Sequence, residues 1–395
     1  MMRKAKAIIG IAATALVLAA GAASGQFNDG IDRADPNFVK PYLLVFDPGN
    51  ALFACVGHAA IRLKCSKFDL DYCFSYESEN ATSRLLSFFA GKLKMGMFAV
   101  PTEDFLKPYE EEGRGVVQYA MNLPPATKQR LWEILDKKAA EGADLPYDYN
   151  RRGCAKSAGE LIMQSLAQDR VERAPWIPDS VPSRREKFCE LLAEDFPWNL
   201  FILNAIVGTE VDNIEEVVVP KDLLAFLQKT RVEGRPIVSG EGERLLASTM
   251  SRKSPLITPM IMAVLMVVLA VANCLFIRRQ YVDWLFLLVQ TVFGCFVLYL
   301  MTATKLPTSC WNWLIVPFNP LPVIFWRWRR YWALPFALVV VAWLVFMLCY
   351  PHRLTDPAYL VIALAYVVIW VKAAMVRWGR ITRLEYLLKG KCVTF

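Results

Sequence analysis

Cys154 opens the run Gly153-Cys154-Ala155-Lys156-Ser157-Ala158-Gly159-Glu160-Leu161-Ile162, which predicts a helix with the cysteine at its N-terminus. Unpaired amide N–H groups and the macrodipole favour negative charge there, so the thiolate is stabilised. Lys156 adds positive charge close by. The same N–H groups could hold the oxyanion formed when a carbonyl is attacked. A thiolate nucleophile needs an imidazole, first to complete the ion pair and later to protonate the leaving group. The 395-residue chain has two histidines. His352 falls in a short loop between apolar runs, which leaves His58, on a glycine turn entering a short strand (Val56–Leu63). An inert buried cysteine and a strand histidine packed for structure are the other reading of the pair.

A third residue should accept the second imidazole N–H. Asp71, Ser75 and Glu77 share one face of the following strand by two-residue periodicity, and any of them could serve. Arg62 lies four residues beyond His58 on its strand face. It could bind a substrate carboxylate bidentately or form a structural ion pair with an Asp or Glu. No glycine-rich phosphate loop is present, and two histidines make no zinc set, so no cofactor is expected.

These residues need a scaffold. Strands are expected at Tyr42–Phe46, from His58 onward, at Tyr72–Tyr76 and at Arg114–Asn122, and helices at Ser83–Ala90, Thr102–Glu112 and Pro124–Ala140. The last carries Leu131, Ile134 and Leu135 as an apolar stripe. Cys65 and Cys73 flank a turn near Lys67–Asp69 and could pair across a hairpin.

The chain is 55% hydrophobic, too apolar for a soluble protein of this size, and the excess is local. Residues 1–25 have a basic start, an apolar core and a small-residue end, the pattern of a secretory signal peptide. Five apolar runs near 255–277, 281–304, 309–326, 332–350 and 358–376 each approach membrane-spanning length. Pro317, Pro320 and Pro322 interrupt the third, which is expected to be kinked or re-entrant. Arginine and lysine after the first, third and fifth runs place the C-terminus in the cytoplasm, with tryptophans at the interfaces. The spans hold few ionisable residues, which argues against an ion-coupled transporter. The formal net charge of +8 is this positive-inside signal; residues 26–254 are net acidic, so no nucleic-acid partner is expected.

Further segments carry a family resemblance. They are Phe46-Asp47-Pro48-Gly49 with Gly57–Arg62, Phe74-Ser75-Tyr76, Phe89–Leu93, Arg114–Gln118, Tyr147-Asp148-Tyr149 with Gly153-Cys154, Pro197-Trp198, Gly208-Thr209, and Asn312-Trp313-Leu314 with Asn319-Pro320-Leu321. In this order they resemble the Lnb N-terminal periplasmic domain family followed by its five-helix transmembrane domain. The resemblance implies an α+β exported domain with a circularly permuted papain-like, NlpC-type fold, then an all-α membrane domain. The division would be 1–25 signal peptide, 26–230 periplasmic domain, 231–254 tether and 255–395 membrane domain, in the inner (cytoplasmic) membrane. Cys154 would be the nucleophile and His58 the base, and the orienting residue would come from the strand after the histidine, where Asp71, Ser75 and Glu77 stand. Gly153 stands where the family usually has asparagine, and Ser75-Tyr76-Glu77 where it tends to have Asn-Tyr-Gly. The expected function is a membrane-anchored thiol hydrolase or acyltransferase acting on an amide or ester of a peptide, a peptidoglycan stem peptide or an acyl lipid. The alternative is a non-catalytic module that binds or helps mature an envelope partner.

Overall fold

The computed structural model describes residues 39–377, apart from 52–53, 80–82, 143–144, 149–150, 174–181, 251–254, 278–279, 307–308, 326–327, 351–352 and 354–355. The signal segment 1–25, His352 and the basic C-terminal tail lie outside the described residues. The chain divides into two compact units, one of residues 1–181 with 215–252 and one of 182–214 with 253–395.

The first unit is built on a seven-stranded sheet in the order β10-β5-β1-β2-β3-β4-β6, with antiparallel pairing throughout. The strands are β1 (Lys40–Phe46), β2 (His58–Cys65), β3 (Leu70–Ser78), β4 (Lys94–Pro101), β5 (Val116–Ala120), β6 (Leu145–Pro146) and β10 (Glu243–Leu246); β7 (Val171–Glu172), β8 (Arg231–Val232) and β9 (Arg235–Pro236) form a small second sheet. The helices are α1 (Leu85–Phe89), α2 (Thr102–Glu111), α3 (Pro125–Glu141), α4 (Cys154–Ser165) and α5 (Pro220–Lys229).

Two-residue alternation sorts the strands onto two faces. Leu43, Ala59, Ile61, Leu63 and Phe74 meet Leu131 and Leu135 of α3, Ala158, Leu161 and Ile162 of α4, and Leu223 and Leu227 of α5. Leu44, Phe46, Ala60, Cys73 and Val116 meet Phe105 of α2 on the other face. Cys65 and Cys73, which could have paired across a hairpin, are both free and buried. Cys65 belongs to the first face and Cys73 to the second, so the sheet itself separates them.

The tether expected at 231–254 is in part folded structure. β8 and β9 form a hairpin around Glu233 and Gly234, whose φ values of 51° and 77° are both left-handed, as a two-residue turn of this kind requires. Glu-Gly is a poorer advertisement for that turn than Asn-Gly. β10 then adds to the edge of β5, with a register shift between Arg244 and Leu246.

In the second unit, helix Pro197–Ile206 packs with the apolar C-terminal helices through Phe201 and Ala205, and helix Arg184–Leu192 packs beside it, so 182–214 groups with the membrane helices rather than with the exported domain. Among the described residues four helices are long and apolar enough to cross a bilayer, Pro259–Phe276, Gln280–Thr302, Tyr331–Cys349 and Pro357–Met375. The third apolar run is no span of that kind. It folds as a 3-10 turn at Trp313–Ile315 and a short helix at Leu321–Ile324, because its prolines deny the helix its backbone donors. Asn312 donates to the carbonyls of Ala205 and Val207, both at 3.0 Å, and Ser309 donates to that of Ile206 at 2.9 Å. The run thus satisfies carbonyls at the end of helix Pro197–Ile206. Gly208 approaches so closely that a Cβ there would lie 1.7 Å from the Cys310 carbonyl oxygen.

Candidate active site

His58 is the first residue of β2, opposite Phe46 of β1. The turn into it needs glycine: Gly57 has φ +86°, and a Cβ there would stand 2.8 Å from the Phe46 carbonyl oxygen. Phe46 and Tyr109 wall the ring, with centroids 5.6 and 6.3 Å from it, and Tyr109 lies 15° from parallel. Tyr109 is itself backed by the Arg114 guanidinium, 4.8 Å above its ring. Arg114 is buried, and its Nε donates to the Asp47 carbonyl at 2.8 Å, which pins the loop after β1.

Cys154 is the first residue of α4, and Gly153 before it is extended (φ −69°, ψ 153°) with no side-chain cap on the helix. The first-turn N–H groups therefore stay free of a capping side chain at the end where the thiol sits. Small residues Ala155 and Ala158 pack α4 on the sheet, and Gly159 lets Leu223 of α5 approach it, a Cβ there standing 3.0 Å from Leu223 Cδ1. The thiol hydrogen-bonds with the His58 side chain and receives the Ala59 backbone N–H.

Burial opposes charge on both partners. For Cys154 it is outweighed by the adjacent His58 ring, their mutual hydrogen bond and the Ala59 N–H, and the thiol is held below its ordinary value. For His58, burial is outweighed by Cys154 first and by Glu77 among the others, and the ring is raised well above 6.5. A lowered thiol beside a raised imidazole is the combination that favours a thiolate–imidazolium pair.

The other ring nitrogen faces β3. His58 Nε2 stands 2.7 Å from Ser75 Oγ and 3.3 Å from Glu77 Oε1, and the Ser75 hydroxyl lies 2.9 Å from the same Glu77 oxygen. With Nε2 so engaged, Nδ1 is the nitrogen left for the thiol. Of the three candidate orienting residues, the structure brings Ser75 and Glu77 to His58.

It does not bring Asp71 or Arg62 there. Arg62 Nε and Nη2 grip Asp71 bidentately at 2.7 and 2.5 Å, and Nη1 donates to Gln118 Oε1 at 2.5 Å. Thr102 also donates to Asp71, at 2.6 Å. Of the two roles open to Arg62 the structure holds the structural ion pair, and the Asp71 carboxylate that could have oriented His58 is spent on that guanidinium. Lys156, expected beside the thiolate, instead reaches both Glu215 oxygens at 3.2 Å. The aromatic wall was not foreseen: Tyr109 stands four residues after Phe105 on an amphipathic helix, where it reads as core. Among the described residues no cluster of side chains could hold a metal ion.

No curated protein and no solved structure matches this chain. Residues 27–178, which include every side chain of the site, match the Lnb N-terminal periplasmic domain, and residues 251–383 match the Lnb transmembrane domain. The chain is a membrane protein of the Lnb family, with a periplasmic N-terminal domain followed by a transmembrane domain.

Proposed function

We propose that this protein is a thiol hydrolase or acyltransferase of the cell envelope, working through Cys154 and His58 on an amide or ester carbonyl. The observation that carries this is the hydrogen-bonded Cys154–His58 pair at an uncapped helix N-terminus, with the second ring nitrogen held by Ser75. The Cys154 thiolate attacks the carbonyl carbon, and the oxyanion that forms lies at the first-turn N–H groups of α4. His58 gives its proton to the departing nitrogen or oxygen, leaving a thioester on Cys154. A water, amine or hydroxyl then attacks the thioester; His58 takes its proton and the thiol is released. Water makes the protein a hydrolase, any other acceptor a transferase.

The order of elements, histidine strand before cysteine helix, is that of a circularly permuted papain-like domain. A transmembrane anchor behind the periplasmic domain supports candidate substrates near the membrane surface: a peptide, a peptidoglycan stem peptide or an acyl lipid. Purified protein mixed with an activated ester and quenched in acid should carry the acyl mass on Cys154, released by hydroxylamine. The adduct should vanish in Cys154→Ala. Turnover that survives Cys154→Ala, or no adduct with any ester or amide offered, would overturn the reading.

A further inference from the structure

Ser75 has a single hydroxyl proton, and Glu77 is a carboxylate that can only accept. With Ser75 Oγ 2.9 Å from Glu77 Oε1, that proton goes to Glu77, and the Ser75 lone pairs face His58 Nε2 at 2.7 Å. A contact of that length is a hydrogen bond only if Nε2 carries the proton. We infer that Glu77 is a positioning residue that fixes the tautomer of His58 through the Ser75 hydroxyl, keeping the proton on Nε2 and the Nδ1 lone pair toward Cys154.

In the reverse tautomer the bare Nε2 would face the lone pairs of a hydroxyl whose proton is already given to Glu77, and Nδ1 could not take the thiol proton. Burial favours the neutral acid at Glu77, but the His58 charge, the bonds from His58 and Ser75, and Arg114 keep its carboxyl below the ordinary range, so it remains an acceptor at neutral pH. The groups facing His58 are Cys154 from α4, Tyr109 from α2, and Ser75 and Glu77 from β3; Arg114 faces Glu77. Tyr109, pushed up to about 12 by burial, is neutral in this range. Glu77 Oε1 also lies 3.3 Å from Nε2, so it can hold the same proton directly if the hydroxyl is lost. The catalytic meaning of this lock rests on the Cys154–His58 proposal, whereas its geometry does not.

His352→Gln leaves His58 as the sole histidine of the full-length chain, and Cys154→Ala removes the thiolate that keeps the ring protonated. In that double variant with ring-labelled 15N-histidine, the neutral form should be the Nε2–H tautomer alone, its two nitrogen shifts far apart. Adding Glu77→Gln, whose amide can accept from or donate to Ser75, should give a mixture and draw the shifts together. Adding Ser75→Ala instead should keep Nε2–H. An Nδ1–H ring with Glu77 present, or shifts that ignore Glu77→Gln, would overturn the inference.

A second readout retains Cys154. Glu77 raises both titrations that bound the ion-pair window, so Glu77→Gln should move both limbs of the pH profile of Cys154 alkylation to lower pH. A merely structural role would lower the amplitude and leave the limbs in place, and that result would also count against the inference. If Cys154 of the unmodified protein reacts as an ordinary thiol at every pH, the proposed activity fails, and the tautomer measurement still decides the role of Glu77.

Discussion

Cys73 and Cys154 lie in the same domain, both within reach of a basic side chain, and their thiols are driven in opposite directions. Cys73 is fully buried on β3 opposite Arg62, its sulfur 3.4 Å from Thr102 Oγ1, and burial pushes it up to about 12. Cys154 is held below its ordinary value. Burial raises both, so the partner decides the sign. The charge beside Cys73 is already taken by Asp71, and a guanidinium never gives up its proton at physiological pH. The partner of Cys154 is an imidazole with one nitrogen held and one free to exchange a proton with the sulfur. A cation nearby therefore does not make a reactive cysteine. What matters is a cation whose proton is the cysteine's own.

The largest expected effect is at the catalytic pair. Cys154→Ala should abolish turnover, and His58→Ala should reduce it by roughly 10²–10⁴-fold, the usual worth of a positioned acid–base group. Rates on a small activated ester would check both. If His58→Ala cost less than a few-fold, the two cysteines would be more alike than this comparison holds.

Breaking the other cluster should damage stability rather than reactivity. Arg62→Ala leaves Asp71 and Gln118 without their partner, at a cost of about 3 kcal/mol, the low end for a buried pair because Asp71 still touches water. Urea unfolding would measure it, and Cys154 alkylation per folded molecule should not change. Asp71 is lowered in the fold: burial raises it, but Arg62 and Thr102 outweigh burial. Its contribution is therefore present above the ordinary carboxylate range and lost as pH falls through the lowered folded value. The stability gap between the natural protein and Asp71→Asn should accordingly close on acidification; a gap constant with pH would separate Asp71 from Arg62.

The cysteines can also be compared directly. Iodoacetamide at pH 8 should modify Cys154 in the native protein and leave Cys73 untouched until urea unfolds the domain, as peptide mass mapping would report. The smallest effect belongs to Lys156. Since it is tied to Glu215, Lys156→Ala should leave the midpoint of Cys154 labelling where it is. A clear upward shift would restore the electrostatic role that its sequence position suggested.

Much of the scaffold was legible because it rests on local periodicity. The β1, β3 and α3 segments, and a helix opening at Cys154, follow from alternation, apolar spacing and glycine placement. Parity also put Ser75 and Glu77 on one strand face. It could not choose among them and Asp71, because the choice depends on which end of the β2–β3 ladder each reaches: Asp71 pairs across from Lys64, near Arg62, and Ser75 and Glu77 extend toward His58. Lys156 misled because a long basic side chain advertises charge but not the acid already waiting for it; at Arg62 substrate binding and a structural ion pair were both open, and the structure holds the ion pair. The hairpin at Glu233-Gly234 was hidden by weak turn chemistry, whereas the three prolines already marked 309–326 as an interrupted run.

The most direct test of the Cys154–His58 account is the pH dependence of iodoacetamide alkylation at Cys154, in the purified full-length protein and in His58→Ala. The account predicts rapid labelling with a midpoint well below the free-cysteine value of about 8.5, moving upward when His58 is removed. Labelling no faster than an ordinary thiol, with a midpoint indifferent to His58→Ala, would contradict it.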